Sequence, residues 1–439
     1  MEADTEYVMR VVEERGVQFV RLWFVDVIGS LKSLAVPASE LEPALLEGVG
    51  LDGSAIEAGA RGSERDVYAW PDPRSFQVLP WTQDGRVARM CCDLRLPDGE
   101  SFPGDSRQAL CRVLDQAADL GLTLQVGCEI EFFLFAEDGD PARPPVPLDN
   151  GSYFDLTVQD VVSDFGRRAI EHLEQMGIPV TASHHEVAPS QHEIHLKHTD
   201  PLSMADAIST FRIVVKEVAR DLGLFATFMP KPIGGLSGSG MHLHLSLYEE
   251  ERNLIYGAGG GEENGGEKRG REFLAGLLAH AAETAAVSNQ WVNSYKRLAT
   301  GMEAPSHVNW TRDGANALVR VPAGRPGRPD SARVELRSPD AAANPYLLFA
   351  LVLAAGLRGM ERGYQLAPAV EAGDAEEALG VPLPGDLGEA TELFDASELA
   401  RDTLGDRLCD WFVANKRAEW DAYRATVTDF DRDRYLRWL

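Results

Sequence analysis

Three short runs of the chain alternate ionisable with apolar residues, which is the pattern of β-strands that have one polar face. Side chains at positions i and i+2 of a strand point the same way, so the polar members of each run share a face. The runs are residues 128–132, 241–246 and 333–337, and their polar members are Glu129, Glu131, His242, His244, Ser246, Arg333, Glu335 and Arg337. Such groups are costly to bury unless metal ions or anionic substrates compensate them. The pattern therefore predicts a catalytic site for phosphate chemistry rather than a packing core.

The rest of the pattern predicts a β-rich N-terminal segment followed by a larger mixed one. Residues 18–37 alternate around a turn at 26–29 and predict a hairpin, and further strands are expected at 77–79 and 87–94. From residue 106, helix and strand patterns alternate, with helices at 106–120, 158–176 and 203–221 and strands at 123–135 and 178–184. The Gly- and Glu-rich stretch 257–270 predicts a solvent loop. We expect an α+β protein with domains at residues 1–104 and 105–439.

Length and composition narrow the class of protein. A chain of 439 residues exceeds the roughly 250–300 residues at which single cores stop growing. The formal net charge of −27 argues against binding to nucleic acid or to an anionic membrane. The five cysteines form no CxxC pair, the N-terminus is acidic, and no run reaches about 18 apolar residues. We therefore expect a cytoplasmic protein with reduced thiols.

Two further segments carry groups suited to cations and anions. Glu186 and Glu193 flank a Pro-containing loop that places both in reach of one ion. Hard cations such as Mg²⁺ and Mn²⁺ favour oxygen ligands and tolerate imidazole. Glycines at 238 and 240 let backbone N–H groups approach a carboxylate or phosphate, although the pattern is not a P-loop. Arginines at 297, 320, 333 and 337 are suited to bidentate recognition of such anions.

Together these motifs resemble those of bacterial type I glutamine synthetases, from residue 19 to the C-terminus. Several long motifs in the same order make the resemblance specific. They are Asp52-Gly53-Ser54, Glu129-Ile130-Glu131, His185-Glu186, Gln191-His192-Glu193, residues 238–244, Glu303-Ala304-Pro305, residues 333–337 and Asn344-Pro345-Tyr346.

The resemblance implies a fold, a reaction and an assembly. The fold would be a small N-terminal β-grasp-like domain with a large C-terminal α/β catalytic domain built on a curved antiparallel sheet. The reaction would join glutamate to ammonia or an amine through γ-glutamyl phosphate, with ATP and two or more Mg²⁺ or Mn²⁺ ions. The family builds its sites between subunits of a homo-oligomer, a dodecamer of two hexameric rings.

The resemblance also implies roles for single residues. One metal ion would be held by Glu131, Glu186 and Glu193. A second metal ion would be held by Glu129, His242 and Glu335. Glutamate would be held by Arg297, Arg337 and the backbone at Gly238. ATP would face His244, Ser246, Arg320 and Arg333. The catalytic groups would be Arg320, Asp52 and Glu303. Asp52 would reach the nitrogen-donor site of a neighbouring subunit, and Glu303 would lie on a flap that closes over the site.

Three positions depart from the usual pattern of the family. Ala55 replaces a serine beside the ammonium pocket, Ser237 replaces an asparagine, and Ala315 replaces an arginine that contacts phosphate. Losing a hydroxyl enlarges the pocket and lowers its polarity, which favours a larger amine over ammonium. Three interpretations stay open: an ammonia ligase, a γ-glutamylamine ligase for a polyamine or ethanolamine-type acceptor, and a catalytically degenerate nucleotide-binding homologue.

Overall fold

The computed structural model describes residues 2–57, 65–82, 85–137, 145–156, 160–258, 266–299, 303–314, 316–325, 327–370 and 380–439. Its N-terminal segment contains α1 (Glu2–Arg15), β1 (Phe19–Val25), β2 (Leu31–Pro37), α2 (Leu41–Glu47), β3 (Val49–Asp52), β4 (Asp66–Pro71), β5 (Gln77–Val78) and β6 (Val87–Arg95). The strands form one sheet in the order β2-β1-β6-β4-β3, with β5 paired to β6. The predicted hairpin is confirmed, since β1 and β2 pair antiparallel from Phe19–Pro37 to Val25–Leu31.

The second segment begins with α3 (Ser106–Asp119), β7 (Leu122–Ala136), α4 (Asp160–Gln175), β8 (Val180–His185), β9 (Gln191–Thr199), α5 (Pro201–Asp221), β10 (Leu224–Thr227), β11 (Met241–Glu249) and β12 (Arg252–Asn253). It continues with α6 (Gly266–Ala279), α7 (Ala281–Ser288), α8 (Val292–Leu298), β13 (His307–Val308), β14 (Trp310–Thr311), β15 (Val319–Arg320), β16 (Val334–Leu336) and α9 (Pro345–Arg362). It ends with β17 (Val381–Pro382), α10 (Leu387–Asp395), α11 (Glu398–Leu404), α12 (Asp406–Ala425) and α13 (Asp429–Tyr435). The α+β class is thereby confirmed, whereas the boundary at residue 104 stays a prediction.

The central sheet brings the three alternating runs together. Its strand order is β14-β15-β16-β11-β7-β9-β8, and β16, β11, β7, β9 and β8 pair antiparallel in turn. The apolar positions of β7, Cys128, Ile130 and Phe132, enter the main hydrophobic core. Glu129 and Glu131 alternate with them and therefore lie on the opposite face. The core covers one side of the sheet and leaves the other side for polar groups.

The prediction of a solvent loop over residues 257–270 was wrong at the C-terminal end of that stretch. Helix α6 begins at Gly266, whereas residues 259–265 lie outside the described part of the chain. A Cβ atom on Gly270 would stand 2.0 Å from the carbonyl oxygen of Leu254. The glycine is therefore required by close packing of a helix and does not indicate a loose segment.

Within the described residues, no helix is long and apolar enough to cross a membrane.

A buried ion cluster joins the two segments. Arg107, in the first turn of α3, contacts Asp72 (2.8 Å) and Asp93 (2.5 Å) of the N-terminal segment. The same guanidinium donates two hydrogen bonds to Asp206 of α5, which also accepts one from the Tyr346 hydroxyl at 2.7 Å. One buried cation thus compensates three carboxylates from both segments, and its removal would leave them buried without that cation.

We expect Arg107→Met to lower the free energy of unfolding by about 3–5 kcal/mol, because the carboxylates lose their buried cation. Chemical denaturation followed by circular dichroism measures the change. Arg74→Met is the matched control, since Arg74 also contacts Asp72 but its side chain is 71% exposed. A loss of about 0–1 kcal/mol is expected there. Equal losses in the two variants would contradict the account.

Candidate active site

The register of the central strands places the polar residues of the three runs in one cleft. His242 of β11 stands opposite Glu129 of β7, and His244 stands opposite Glu335 of β16. The cleft, of about 550 Å³, is lined by most of the sequence-predicted residues. Those residues are Glu129, Glu131, Glu186, Glu193, Gly238, His242, His244, Arg297, Glu303, Arg320, Arg333, Glu335 and Arg337.

Glu129, His242 and Glu335 form the first convergent group. His242 Nδ1 lies 3.3 Å from Glu129 Oε2 and 3.7 Å from Glu335 Oε1. Burial acts to raise the pKa of Glu129, but hydrogen bonds from His242 and His244 outweigh it and hold that pKa well below its usual range. His242 and Arg337 likewise lower the pKa of Glu335 against the effect of burial. Both carboxylates are therefore ionised and able to bind a cation.

Glu131, Glu186 and Glu193 form the second group, in which negative charge is poorly compensated. Burial, together with the adjacent carboxyl of Glu193, raises the pKa of Glu186 to about 9. Burial and the charge of Glu131 raise the pKa of Glu193 in the same direction. Glu131 Oε2 is fixed by hydrogen bonds from Gln191 Nε2 at 2.8 Å and the Gly240 backbone N–H at 2.9 Å. A cation bound here would allow all three groups to ionise.

The donor atoms of the first group fit a divalent cation. One ligand atom each from Glu129, His242 and Glu335 lies within 4.8 Å of the others. His242 Nε2 is buried, lies 3.9 Å from Glu131 Oε1, and has no hydrogen-bond partner among the described residues. Carboxylates with a minority of imidazole are the ligands that Mg²⁺ and Mn²⁺ accept. The assignment of individual ligands stays a prediction.

Cations and a close backbone border the carboxylates. Arg320 and Arg337 both pair with Glu335, and Arg333 Nε donates to His244 Nδ1 at 3.1 Å. Arg297 is buried and donates to the backbone carbonyls of residues 337–339. A Cβ atom at position 238 would stand 2.1 Å from the Pro230 carbonyl oxygen, so only glycine fits there. Positive charge and closely packed backbone thus border the metal-ligand candidates.

Two predicted residues lie elsewhere. Asp52 ends β3, where its carboxylate accepts hydrogen bonds from Ser54 N (3.0 Å), Ser54 Oγ (2.8 Å) and Arg65 N (3.2 Å). It lines a separate pocket with Asp66 and Tyr68. Ser246 Oγ donates to the Ala332 carbonyl oxygen at 2.9 Å, and Ser246 is not among the residues that line the cleft. The predicted roles of both residues stay predictions.

The cleft also contains residues to which the sequence assigned no role. Tyr153, Phe154, His184 and His195 line it beside the carboxylates. Phe154 adopts a left-handed backbone conformation, with φ of 62°, which is unusual for a bulky residue. The alternation of Glu193 and His195 along one strand was the signal that could have identified His195. The departure at Ala315 lies outside the described residues, while Ser237 lines the cleft.

Comparison with known proteins agrees with this geometry. The family model described as "Glutamine synthetase, catalytic domain" matches residues 103–435, and "Glutamine synthetase, beta-Grasp domain" matches residues 16–97. The chain belongs to the glutamine synthetase family. Its fold is therefore a β-grasp domain followed by a catalytic domain with a curled sheet, as the resemblance implied.

Relatives match the chain over nearly its whole length. The glutamine synthetase of Mycolicibacterium smegmatis is 50% identical over 99% of this chain and 100% of that relative. That of Halobacterium salinarum is 43% identical over 97% of this chain and 95% of the relative. Among solved structures, GmaS in complex with ADP has a TM-score of 0.86 and 32% identity, covering 98% of this chain and 99% of that one. GmaS without ligand gives a TM-score of 0.83. The chain is a ligase of an ATP- and divalent-metal-dependent family.

We expect Glu186→Gln to stabilise the metal-free protein and to weaken its stabilisation by metal. Glu186 has a raised pKa in the folded protein, so metal-free stability falls as pH rises from about 4.5 towards 9, and glutamine removes that penalty. Differential scanning fluorimetry at pH 8, with chelator or with Mn²⁺, measures both effects. The Tm should rise with Mn²⁺ in both proteins, but the rise should be clearly smaller in the variant, which keeps only the group of Glu129, His242 and Glu335.

Glu283→Gln is the control for that experiment, because Glu283 pairs with His280 and is not among the cleft-lining residues. It should keep the full Tm shift with Mn²⁺. An unchanged Mn²⁺ response in Glu186→Gln would show that Glu186 is not a ligand.

Proposed function

We propose that the protein is an ATP-dependent ligase that joins the γ-carboxyl of glutamate to the nitrogen of ammonia or a primary amine. The observation that carries the proposal is the strand register that sets Glu129, His242 and Glu335 together, in the cleft that Glu131, Glu186 and Glu193 also line. Several carboxylates with flanking arginines suit the binding of polyphosphate with its cations. The complex of the similar protein GmaS with ADP also supports a nucleotide ligand.

In the proposed mechanism the chain binds, orients and shields the reactants. One Mg²⁺ or Mn²⁺ ion would be held by Glu131, Glu186 and Glu193. A second ion would be held by Glu129, His242 and Glu335. Such ions neutralise charge on the phosphoryl group as it moves to the γ-carboxylate. Arg320 and Arg333 would orient ATP, and Arg297, Arg337 and the Gly238 backbone would orient glutamate. Asp52 of a neighbouring subunit would take the proton of the attacking nitrogen, and Glu303 would help exclude water.

Ammonia is the first candidate acceptor, because relatives at 40–50% identity are glutamine synthetases. A second candidate, an organic amine, is favoured by Ala55. This residue follows Ser54, which hydrogen-bonds to Asp52, and it is exposed at the end of the short 3₁₀ turn 53–55. A methyl group there leaves room and lowers polarity beside the proposed base, which suits a larger acceptor.

Phosphate release with glutamate, ATP and Mg²⁺, measured with ammonium and with a panel of amines, decides between these acceptors. If Ala55 sets acceptor choice, the wild type prefers an amine, and Ala55→Ser shifts the ratio of kcat/KM values towards ammonium by about tenfold. Activity with ammonium alone contradicts the amine candidate. Nucleotide binding without turnover of any acceptor contradicts the ligase proposal and supports a degenerate homologue.

We further propose that the protein is a homo-oligomer, a dodecamer of two hexameric rings. The C-terminal residues Phe430, Leu436, Trp438 and Leu439 are strongly exposed although they are apolar. A cluster of this kind is typical of a surface that another subunit covers. The separate position of Asp52, outside the cleft of its own chain, is also what a shared site requires. A solution mass of twelve chains supports the proposal, and a monomer contradicts it.

A further inference from the structure

His184 and His195 lie on the cleft face of the sheet and have no role in the proposed mechanism. Antiparallel pairing sets His184 of β8 opposite Glu193 of β9. His195 lies two positions further along β9, on the same face, between Glu129 of β7 and Ala182 of β8. The positions of both imidazoles are thus fixed by strand register, which holds side chains more precisely than a loop does.

Three donor groups converge at this point. His184 Nε2 and His195 Nε2 are 3.3 Å apart. Glu193 Oε1 lies 2.8 Å from His195 Nε2, and Glu193 Oε2 lies 3.7 Å from His184 Nε2. With metal–ligand bonds of roughly 2.0–2.2 Å, donors around a tetrahedral Zn²⁺ ion are separated by roughly 3.3 Å. The observed separations span that value.

The ring of His184 is oriented as a metal ligand would be. Its Nδ1 lies 3.1 Å from the carbonyl oxygen of His185, to which it donates, so Nε2 keeps a lone pair directed towards the site. The rings of Tyr153 and Phe154 pack against it, with centroids 5.5 and 4.5 Å away. Orientation by a backbone acceptor and by packing is the usual support of a metal-bound imidazole.

Glu193 supplies an independent observation. Its side chain is buried, and its Oε1 atom has no hydrogen-bond partner among the described residues. His195 Nε2 lies 2.8 Å from this oxygen without forming a well-aligned hydrogen bond, and it also lies 3.3 Å from His184 Nε2. A buried polar atom without a hydrogen-bond partner is costly, and a cation that binds this oxygen would remove that cost.

We propose that His184, His195 and Glu193 form an additional cation site that selects zinc-class transition metals over Mg²⁺. Two imidazoles and one carboxylate are a donor set suited to Zn²⁺, Co²⁺ or Ni²⁺, whereas Mg²⁺ prefers oxygen ligands alone. On binding, His195 carries its remaining proton on Nδ1, which lies 3.6 Å from Glu129 Oε1. The site adjoins the proposed ligase centre through Glu193, and its metal selectivity goes beyond that function.

The test measures Zn²⁺ affinity in full-length, tag-free protein that has been stripped of metal and supplied with excess Mg²⁺. Excess Mg²⁺ suppresses Zn²⁺ binding at positions with oxygen ligands alone. One Zn²⁺ per chain should still bind in competition with a chromophoric chelator, with Glu193 shared between the two cations. His184→Ala and His195→Ala should each weaken that affinity by at least about tenfold. Co²⁺ in place of Zn²⁺ should show the d–d absorption of nitrogen ligation, and this absorption should disappear in both variants.

Three controls make the result decisive. His280→Ala should leave Zn²⁺ affinity unchanged, because His280 pairs with Glu283 and is not among the cleft-lining residues. His195→Gln, which keeps a side chain of similar size, should have the metal-free Tm of the wild type and the weakened Zn²⁺ affinity. His242→Ala should retain the tight Zn²⁺ ion, since His242 belongs to the other group. Loss of the tight ion in His242→Ala but not in His195→Ala overturns the proposal, as does unchanged affinity in both histidine variants.

Failure of this inference is distinguishable from failure of the proposed function. Amide formation supported by Mg²⁺ alone, together with unchanged Zn²⁺ binding in the variants, contradicts only the additional site. A tight Zn²⁺ ion that depends on His184 and His195, without amide formation from any acceptor, contradicts only the ligase.

Discussion

Electrostatic repulsion among five carboxylates in one cleft must be offset by positive charge before all five can be ionised. They belong to Glu129, Glu131, Glu186, Glu193 and Glu335. Histidines and arginines balance Glu129 and Glu335, whose pKa values are lowered. Among the described residues, Glu131, Glu186 and Glu193 are compensated less well, and their pKa values are raised. The cleft thus has an excess of negative charge, which divalent cations can neutralise. ATP can then bind as a polyanion despite the formal net charge of −27.

The fold holds this unfavourable arrangement in place. Each central strand alternates between the cleft and the core, so the apolar face of β7 stabilises the position of its own carboxylates. The cluster around Arg107 then fixes the N-terminal segment against α3 and α5. Packing on one face of the sheet therefore offsets the cost of charge on the other.

The alternating runs allowed the polar face of the sheet to be predicted, because strand periodicity assigns each residue to a side. The motif order allowed the family to be predicted. Register was not predictable: only the structure shows that His195 lies between Glu129 and Ala182. The prediction of a loop over residues 257–270 was wrong at Gly270, because this glycine is required by close packing of a helix. Composition alone does not distinguish such a glycine from one in a loop. Contacts between segments distant in sequence, such as Arg107 with Asp72, leave no local pattern.

We propose that this charged cleft transfers a phosphoryl group to the γ-carboxylate of glutamate. Glutamate labelled with ¹⁸O in that carboxylate tests it directly, because the oxygen that attacks phosphorus leaves with phosphate when the nitrogen displaces it. Mass spectrometry of the phosphate released in the presence of an acceptor should find one ¹⁸O atom per amide formed. Unlabelled phosphate accompanying labelled amide would contradict the account.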